Sequence, residues 1–195
     1  MIGVHMSVVE DDGDKLGNPF DVQNTWNYLP YPSRITVDRY LNYGWSLEGA
    51  LSYNQYLKSV RVDDTTGITG TNFSFDICAK YSFYNLYAPR ARWIEPYLNF
   101  GVGYTYRDAL KEEHIPSVIL GGGLNIWIHK QVGLQIASRA KLAAYPFFWD
   151  SHASYFQHTA GIVFRTKDTK VNKQNKSKQH KWTRKSVRYK RKGGH

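Results

Sequence analysis

Leu98-Asn99-Phe100-Gly101-Val102-Gly103-Tyr104-Thr105-Tyr106-Arg107 alternates without a break: every even position is apolar or aromatic, and every odd one is Asn, Gly, Thr or Arg. A period of two sustained over this length is a strand with two unlike faces. A polar loop over residues 108–115 leads to a second such run. There Val118, Leu120, Gly122, Leu124, Ile126 and Ile128 share one face, and Ile119, Gly121, Gly123, Asn125 and Trp127 share the other. Strands of soluble sandwiches are usually about five or six residues long, and a polar face turned to water would carry charge. Here the second face is small, Gly-rich and neutral. Tilted strands of about ten residues with one greasy face and one small or polar face are what a transmembrane β-barrel requires.

Composition points the same way. At 195 residues the chain has room for one domain and a tail. Aromatic residues make up 15% of it, with 15 Tyr and 6 Trp, yet the mean hydropathy is −0.54. No segment approaches the roughly 20 apolar residues of a membrane helix, so a bilayer could be crossed only by a barrel. The single cysteine, Cys78, lies in a strand pattern and cannot form an internal disulfide. Met1 leads into Gly3-Val4-His5-Met6-Ser7-Val8-Val9 with no basic n-region and no long apolar run. For an exported protein that implies a mature chain or a mis-set start.

Charge divides the chain in two. Residues 1–165 hold 14 Lys and Arg against 15 Asp and Glu, whereas residues 166–195 hold 12 Lys and Arg and one acid, Asp168. The formal net charge of +10 therefore belongs to the tail. Two regions are expected: a barrel over residues 1–165 and a disordered basic tail over residues 166–195.

Alternation predicts eight strands, over residues 3–9, 33–41, 45–56, 72–84, 98–107, 118–128, 132–142 and 153–164. The polar stretch 10–32, ending in Trp26-Asn27-Tyr28-Leu29-Pro30-Tyr31-Pro32, is expected to be a loop, because prolines are excluded from a ladder interior. Connections one, three, five and seven look longer and more polar than two, four and six. Outer-membrane barrels place short turns on the periplasmic side and long loops outside. An even strand number then puts the tail in the periplasm. Tyr43, Trp45, Tyr104, Tyr106, Tyr145 and Trp149 lie at strand ends, where interfacial aromatic girdles form.

Five segments carry a resemblance to a known family: Tyr31-Pro32-Ser33; Leu47-Glu48-Gly49-Ala50-Leu51-Ser52-Tyr53-Asn54; Glu95-Pro96-Tyr97-Leu98-Asn99-Phe100-Gly101-Val102-Gly103-Tyr104; Gly121-Gly122-Gly123-Leu124-Asn125-Ile126-Trp127; and Phe156-Gln157-His158-Thr159-Ala160-Gly161-Ile162-Val163-Phe164. In order and spacing the chain resembles the eight-stranded barrel at the N-terminus of OmpA-like proteins, particularly the Bacteroidetes type. The resemblance implies an all-β, antiparallel up-and-down barrel in the bacterial outer membrane. It also implies contact with outer-membrane lipid and lipopolysaccharide, and a last strand that looks like the signal read by the barrel assembly machinery. Such proteins commonly continue into a peptidoglycan-binding domain. Here a basic tail follows, so peptidoglycan anchoring is not implied.

Four features bear on chemistry. The glycines at 101, 103, 121, 122 and 123 precede no helix and make no nucleotide fingerprint; they suit a wall that must bend and close. Ser138 and His158 fall on the lipid-facing parity of neighbouring strands, as a lipid-hydrolysing barrel would need, but no carboxylate on that face is evident as a third member. Asp38, Glu48, Asp76, Lys80, Glu95, Arg139 and Lys141 fall on the inward parity, with Glu48 expected opposite Lys80 in a lumen too narrow for a wide channel. In the tail, Trp182, Arg184, Lys185, Arg188, Tyr189, Lys190, Arg191 and Lys192 form a basic, aromatic-interleaved run. It could bind nucleic acid in a cytosolic protein. In the periplasm, lipid head groups, cell-wall polymer or an acidic protein are the nearer partners.

These observations predict a structural or scaffolding outer-membrane barrel without catalysis, metal or cofactor, with a component of a larger outer-membrane complex as one form of that role. A small-solute pore, a lipid-acting barrel enzyme and a tail-borne module binding nucleic acid or another anionic polymer are the alternatives.

Overall fold

The computed structural model describes residues 1–11, 25–60, 62, 66–67, 69–83, 93–108, 113–144, 148 and 153–166. The chain falls into two units, Met1–Arg165 and Thr166–His195. The first is all β. Its strands are β1 (Ile2–Glu10), β2 (Trp26–Tyr28), β3 (Arg34–Asn42), β4 (Trp45–Tyr56), β5 (Gly70–Ser82), β6 (Ile94–Arg107), β7 (His114–Trp127), β8 (Val132–Ala143) and β9 (Tyr155–Phe164). From β3 onward each strand pairs antiparallel with the next. β1 then pairs β9 from Ile2↔Phe164 to Glu10↔Phe156, so the sheet closes and has no free edge along that seam.

The wall is eight strands thick around its circumference, because β2 and β3 share one place beside β1. β3 takes the lower half, Ile2–His5, and β2 the upper, Val8–Glu10. Residues 29–33 intervene, with Pro30 and Pro32, and face only Met6 and Ser7. The loop expected over residues 10–32 is thus corrected. The prolines interrupt the ladder where they stand, but Trp26–Tyr28 precedes them and can still donate to β1. Ser33 mends the gap: its N–H donates to the His5 carbonyl at 2.9 Å, and its Oγ accepts from the Ser7 N–H at 3.2 Å.

β7 starts at His114, four residues earlier than alternation predicts, and runs through Pro116 opposite Tyr104. Pro116 accepts through its carbonyl from Ala144 on the β8 side, so its missing N–H falls where that ladder is ending. The connection 108–113 is therefore short, whereas 83–93 on the opposite end is long. The contrast between ends rests on 43–44 and 128–131 against 11–25, 57–69 and 144–154. The tightest turn, Tyr43-Gly44, has φ of 47° and 88°, as a two-residue primed hairpin turn demands.

Burial is inside out. Sealed within the barrel are Arg34, Arg107, Arg139, Lys141, Glu48, Gln135 and Gln157, while Leu98, Val102, Leu120, Ile136 and Ile162 stand on the outer wall, Val102 being 61% exposed. Water outside would reverse this arrangement; hydrocarbon outside explains it. β6 and β7, each 14 residues, are long enough to cross about 30 Å of hydrocarbon at a tilt.

Candidate functional site

Inward parity brings charges from distant strands to one axis. Glu48 on β4 is the hub of a first set: its Oε2 lies 3.1 Å from Lys80 Nζ and its Oε1 2.5 Å from Arg139 Nη2, and Lys80 also reaches Asp38 at 2.9 Å. Asp76 on β5 is the hub of a second, with Arg34 Nη1 at 2.8 Å and Lys141 Nζ at 2.6 Å. Arg34 extends that set across the lumen to Ser52 and Gln157. Further along, Arg107 pairs with Asp11, which also accepts from the Tyr56 hydroxyl. Each carboxylate that leaves water is thereby met by a cation, the condition for burying charge at all. Glycines make the room. A Cβ on Gly121 would lie 2.8 Å from Arg139 Cγ, and one on Gly123 would lie 2.5 Å from the Tyr97 hydroxyl.

Six of the seven inward charges expected from the sequence thus meet in two sets: Asp38, Glu48, Lys80 and Arg139 in one, Asp76 and Lys141 in the other. The register differs from expectation by two residues, because Glu48 pairs with Cys78 and Lys80 with Ser46, yet the long lysine bridges the diagonal. Glu95 joins neither set. It sits at the rim where β9 ends, where it accepts from Ser82 Oγ, Trp127 Nε1 and Arg165 Nη2, and the Arg165 guanidinium lies 3.8 Å from the Trp127 ring centroid. Arg34, Arg107 and Asp11 were not among the expected members, although Arg34 shares parity with Asp38 and Arg107 with Asn99.

On the outer wall Ser138 of β8 and His158 of β9 are direct cross-strand partners. The carboxylate missing from the sequence pattern is Glu10, on β1 beyond β9. Its Oε2 lies 2.8 Å from His158 Nε2, and its Oε1 accepts from Thr25 Oγ1 at 2.9 Å. Trp26 stacks on the imidazole with ring centroids 5.4 Å apart, and His158 is consequently buried although it points away from the lumen. On its other side Ser138 faces Gly122 of β7.

The tail residues Trp182, Arg184, Lys185, Arg188, Tyr189, Lys190, Arg191 and Lys192 lie outside the described residues, as do Tyr145 and Trp149 of the expected girdle. Among the described residues, no group of three or more His, Cys, Asp or Glu could hold a metal ion.

No protein-family model matches the chain, and no curated protein matches it. Solved structures do. Neisserial surface protein A is similar over 85% of this chain and 94% of its own, with a TM-score of 0.52 and 10% identity. Ail, the attachment invasion locus protein of Yersinia pestis, is similar over 85% of this chain and 95% of its own, with a TM-score of 0.48 and 15% identity. The fold is that of the small eight-stranded outer-membrane β-barrels. Identities this low carry the fold and nothing finer.

Proposed function

We propose that the protein is a non-conducting scaffold of the bacterial outer membrane, seated in outer-membrane lipid and lipopolysaccharide after insertion by the barrel assembly machinery, and presenting a basic segment to an anionic partner in the periplasm. One observation carries this reading: the lumen is spanned from wall to wall by ion pairs, from Arg34 through Asp76 to Lys141 and from Asp38 through Lys80 and Glu48 to Arg139. A barrel filled in this way works through its ends and outer surface.

The ends differ in charge, which supports the orientation. Connections 11–25, 57–69, 108–113 and 144–154 hold ten Asp and Glu against four Lys and Arg, while 43–44, 83–93 and 128–131 hold Arg90, Arg92 and Lys130 and no acid. The tail follows β9 on this second, basic end. The partner is an acidic face of another outer-membrane or periplasmic protein, or cell-wall polymer, which in the periplasm lie nearer to the tail than nucleic acid does. The Bacteroidetes-type resemblance rests on the sequence segments quoted above. To test the reading, full-length protein and a form lacking residues 166–195 are reconstituted, and binding to an anionic polymer such as polyglutamate is measured at low and high salt. The full-length form should bind and release steeply with salt, and the shortened form should not bind. Equal binding by both forms would remove the tail from the function. Ion conductance of the reconstituted barrel above the lipid background would contradict the non-conducting lumen.

A further inference from the structure

We propose that the barrel interior binds a small monovalent anion, of the halide class, between the guanidinium groups of Arg34 and Arg139. This is a ligand site beyond the scaffold role, and it rests on neither the tail nor the tail's partner. Charge is the first observation. In the two central sets four cations, Arg34, Lys80, Arg139 and Lys141, meet three carboxylates, Asp38, Glu48 and Asp76. The Arg107–Asp11 pair further along adds one charge of each sign. Among the described residues, the central sets therefore keep one positive charge in excess, in a place sealed from bulk water, where an uncompensated charge is costly.

Hydrogen bonding shows where that excess resides. Arg34 uses only Nη1 on Asp76, Ser52 and Gln157, and its Nε and Nη2 have no partner among the described residues. Those two nitrogens carry the parallel N–H groups with which a guanidinium grips an anion side-on. Arg139 gives Nη2 to Glu48 and leaves Nε and Nη1 without a partner among the described residues. Both arginines are 1% exposed. They also converge: Arg34 reaches from β3 to Gln157 on β9, and Gln157 is the cross-strand partner of Arg139 on β8. The two guanidiniums lie within coulombic reach of each other, so a counter-ion between them relieves their repulsion. Two neutral groups stand by. His5 is the cross-strand partner of Arg34, and the Tyr97 hydroxyl lies near Arg139. Both are buried, and neither makes a side-chain hydrogen bond among the described residues, although Gln135 lies near the imidazole. Water could satisfy such donors but would leave the excess charge, whereas an anion answers both. An excess of one charge makes the ligand monovalent, and enclosure makes it small.

The test uses the full chain refolded in detergent with sodium bromide as the probe, so that the ion is present while the barrel closes. Unfolding by urea is followed across bromide concentrations at constant ionic strength, with gluconate, too bulky for an enclosed site, making up the balance. The wild-type folding equilibrium should rise with bromide by a single-site law, gaining about 100-fold at 100 times the dissociation constant. Gln157→Glu places a carboxylate at the Arg34 contact with almost no change of shape. It should fold without responding to bromide, because the fourth negative charge then belongs to the chain. Wild-type crystals grown in bromide give a reading that needs no variant: an anomalous bromide peak in contact with Arg34 and Arg139. Removing residues 166–195 should leave the bromide response unchanged, so failure here is distinguishable from failure of the scaffold reading. A wild-type equilibrium indifferent to bromide, an equal response in Gln157→Glu, or bromide peaks confined to the outer surface would overturn the proposal.

Discussion

Gln135 and Ile136 are neighbours on β8, yet one is 1% exposed in a polar lumen and the other 54% exposed on an apolar wall. The two faces of the same strands follow opposite rules. On the outer wall the solvent is hydrocarbon, which rejects charge and asks only for apolar bulk. In the lumen, charge is admitted, provided each carboxylate finds a cation from another strand. The outer wall is therefore specified by composition and tolerates exchange among Leu, Ile, Val and Phe. The lumen is specified pair by pair, through partners up to 150 residues apart, as for Ser7 and Gln157.

The contrast is tested most severely at Asp76. Asp76→Asn leaves Arg34 and Lys141 without their shared counter-charge and should destabilise the barrel by about 3–5 kcal/mol. Urea unfolding in vesicles measures it, and a loss under about 1 kcal/mol would mean that the lumen is wet enough to screen its charges. Next in size is the outer wall. Leu120→Arg, placed mid-strand on β7, should cost about 2–4 kcal/mol, while Asn125→Asp on the inward parity of the same strand should cost less. Equal effects would erase the distinction between the faces.

Tyr43 offers a smaller test that separates strain from solvent. It occupies a left-handed φ of 47° that a bulky residue adopts at a cost, whereas Asn before Gly is favoured in this turn. Tyr43→Asn should stabilise the hairpin by about 1 kcal/mol, measured by the same unfolding assay. Last comes the change expected to do nothing to the barrel: removing residues 166–195 should leave its unfolding midpoint unmoved, because closure is complete at Phe164.

Much of this was legible in the sequence, for a physical reason. Period-two alternation is local, so it exposed each long strand and the parity of its faces, including the inward places of Glu48 and Arg139. What depends on several strands at once was not local. The pairing of Glu48 with Cys78 depends on where the hairpin turn is centred, and a shift of two residues keeps parity while changing the partner. Trp26–Tyr28 was hidden by the two prolines behind it. Glu10 could not be linked to His158 because they meet only through the β1–β9 seam, 148 residues apart. Arg34 and His5, by contrast, shared visible inward parity and could have been assigned with Asp38.

The account's central claim is that these strands face hydrocarbon, and one measurement addresses it directly. Cells producing the full chain are fractionated, and the membrane pellet is run on a denaturing gel with and without boiling. A protein that pellets with the outer membrane and changes mobility on boiling is the predicted result. Recovery in the soluble fraction, with one mobility before and after boiling, would contradict it.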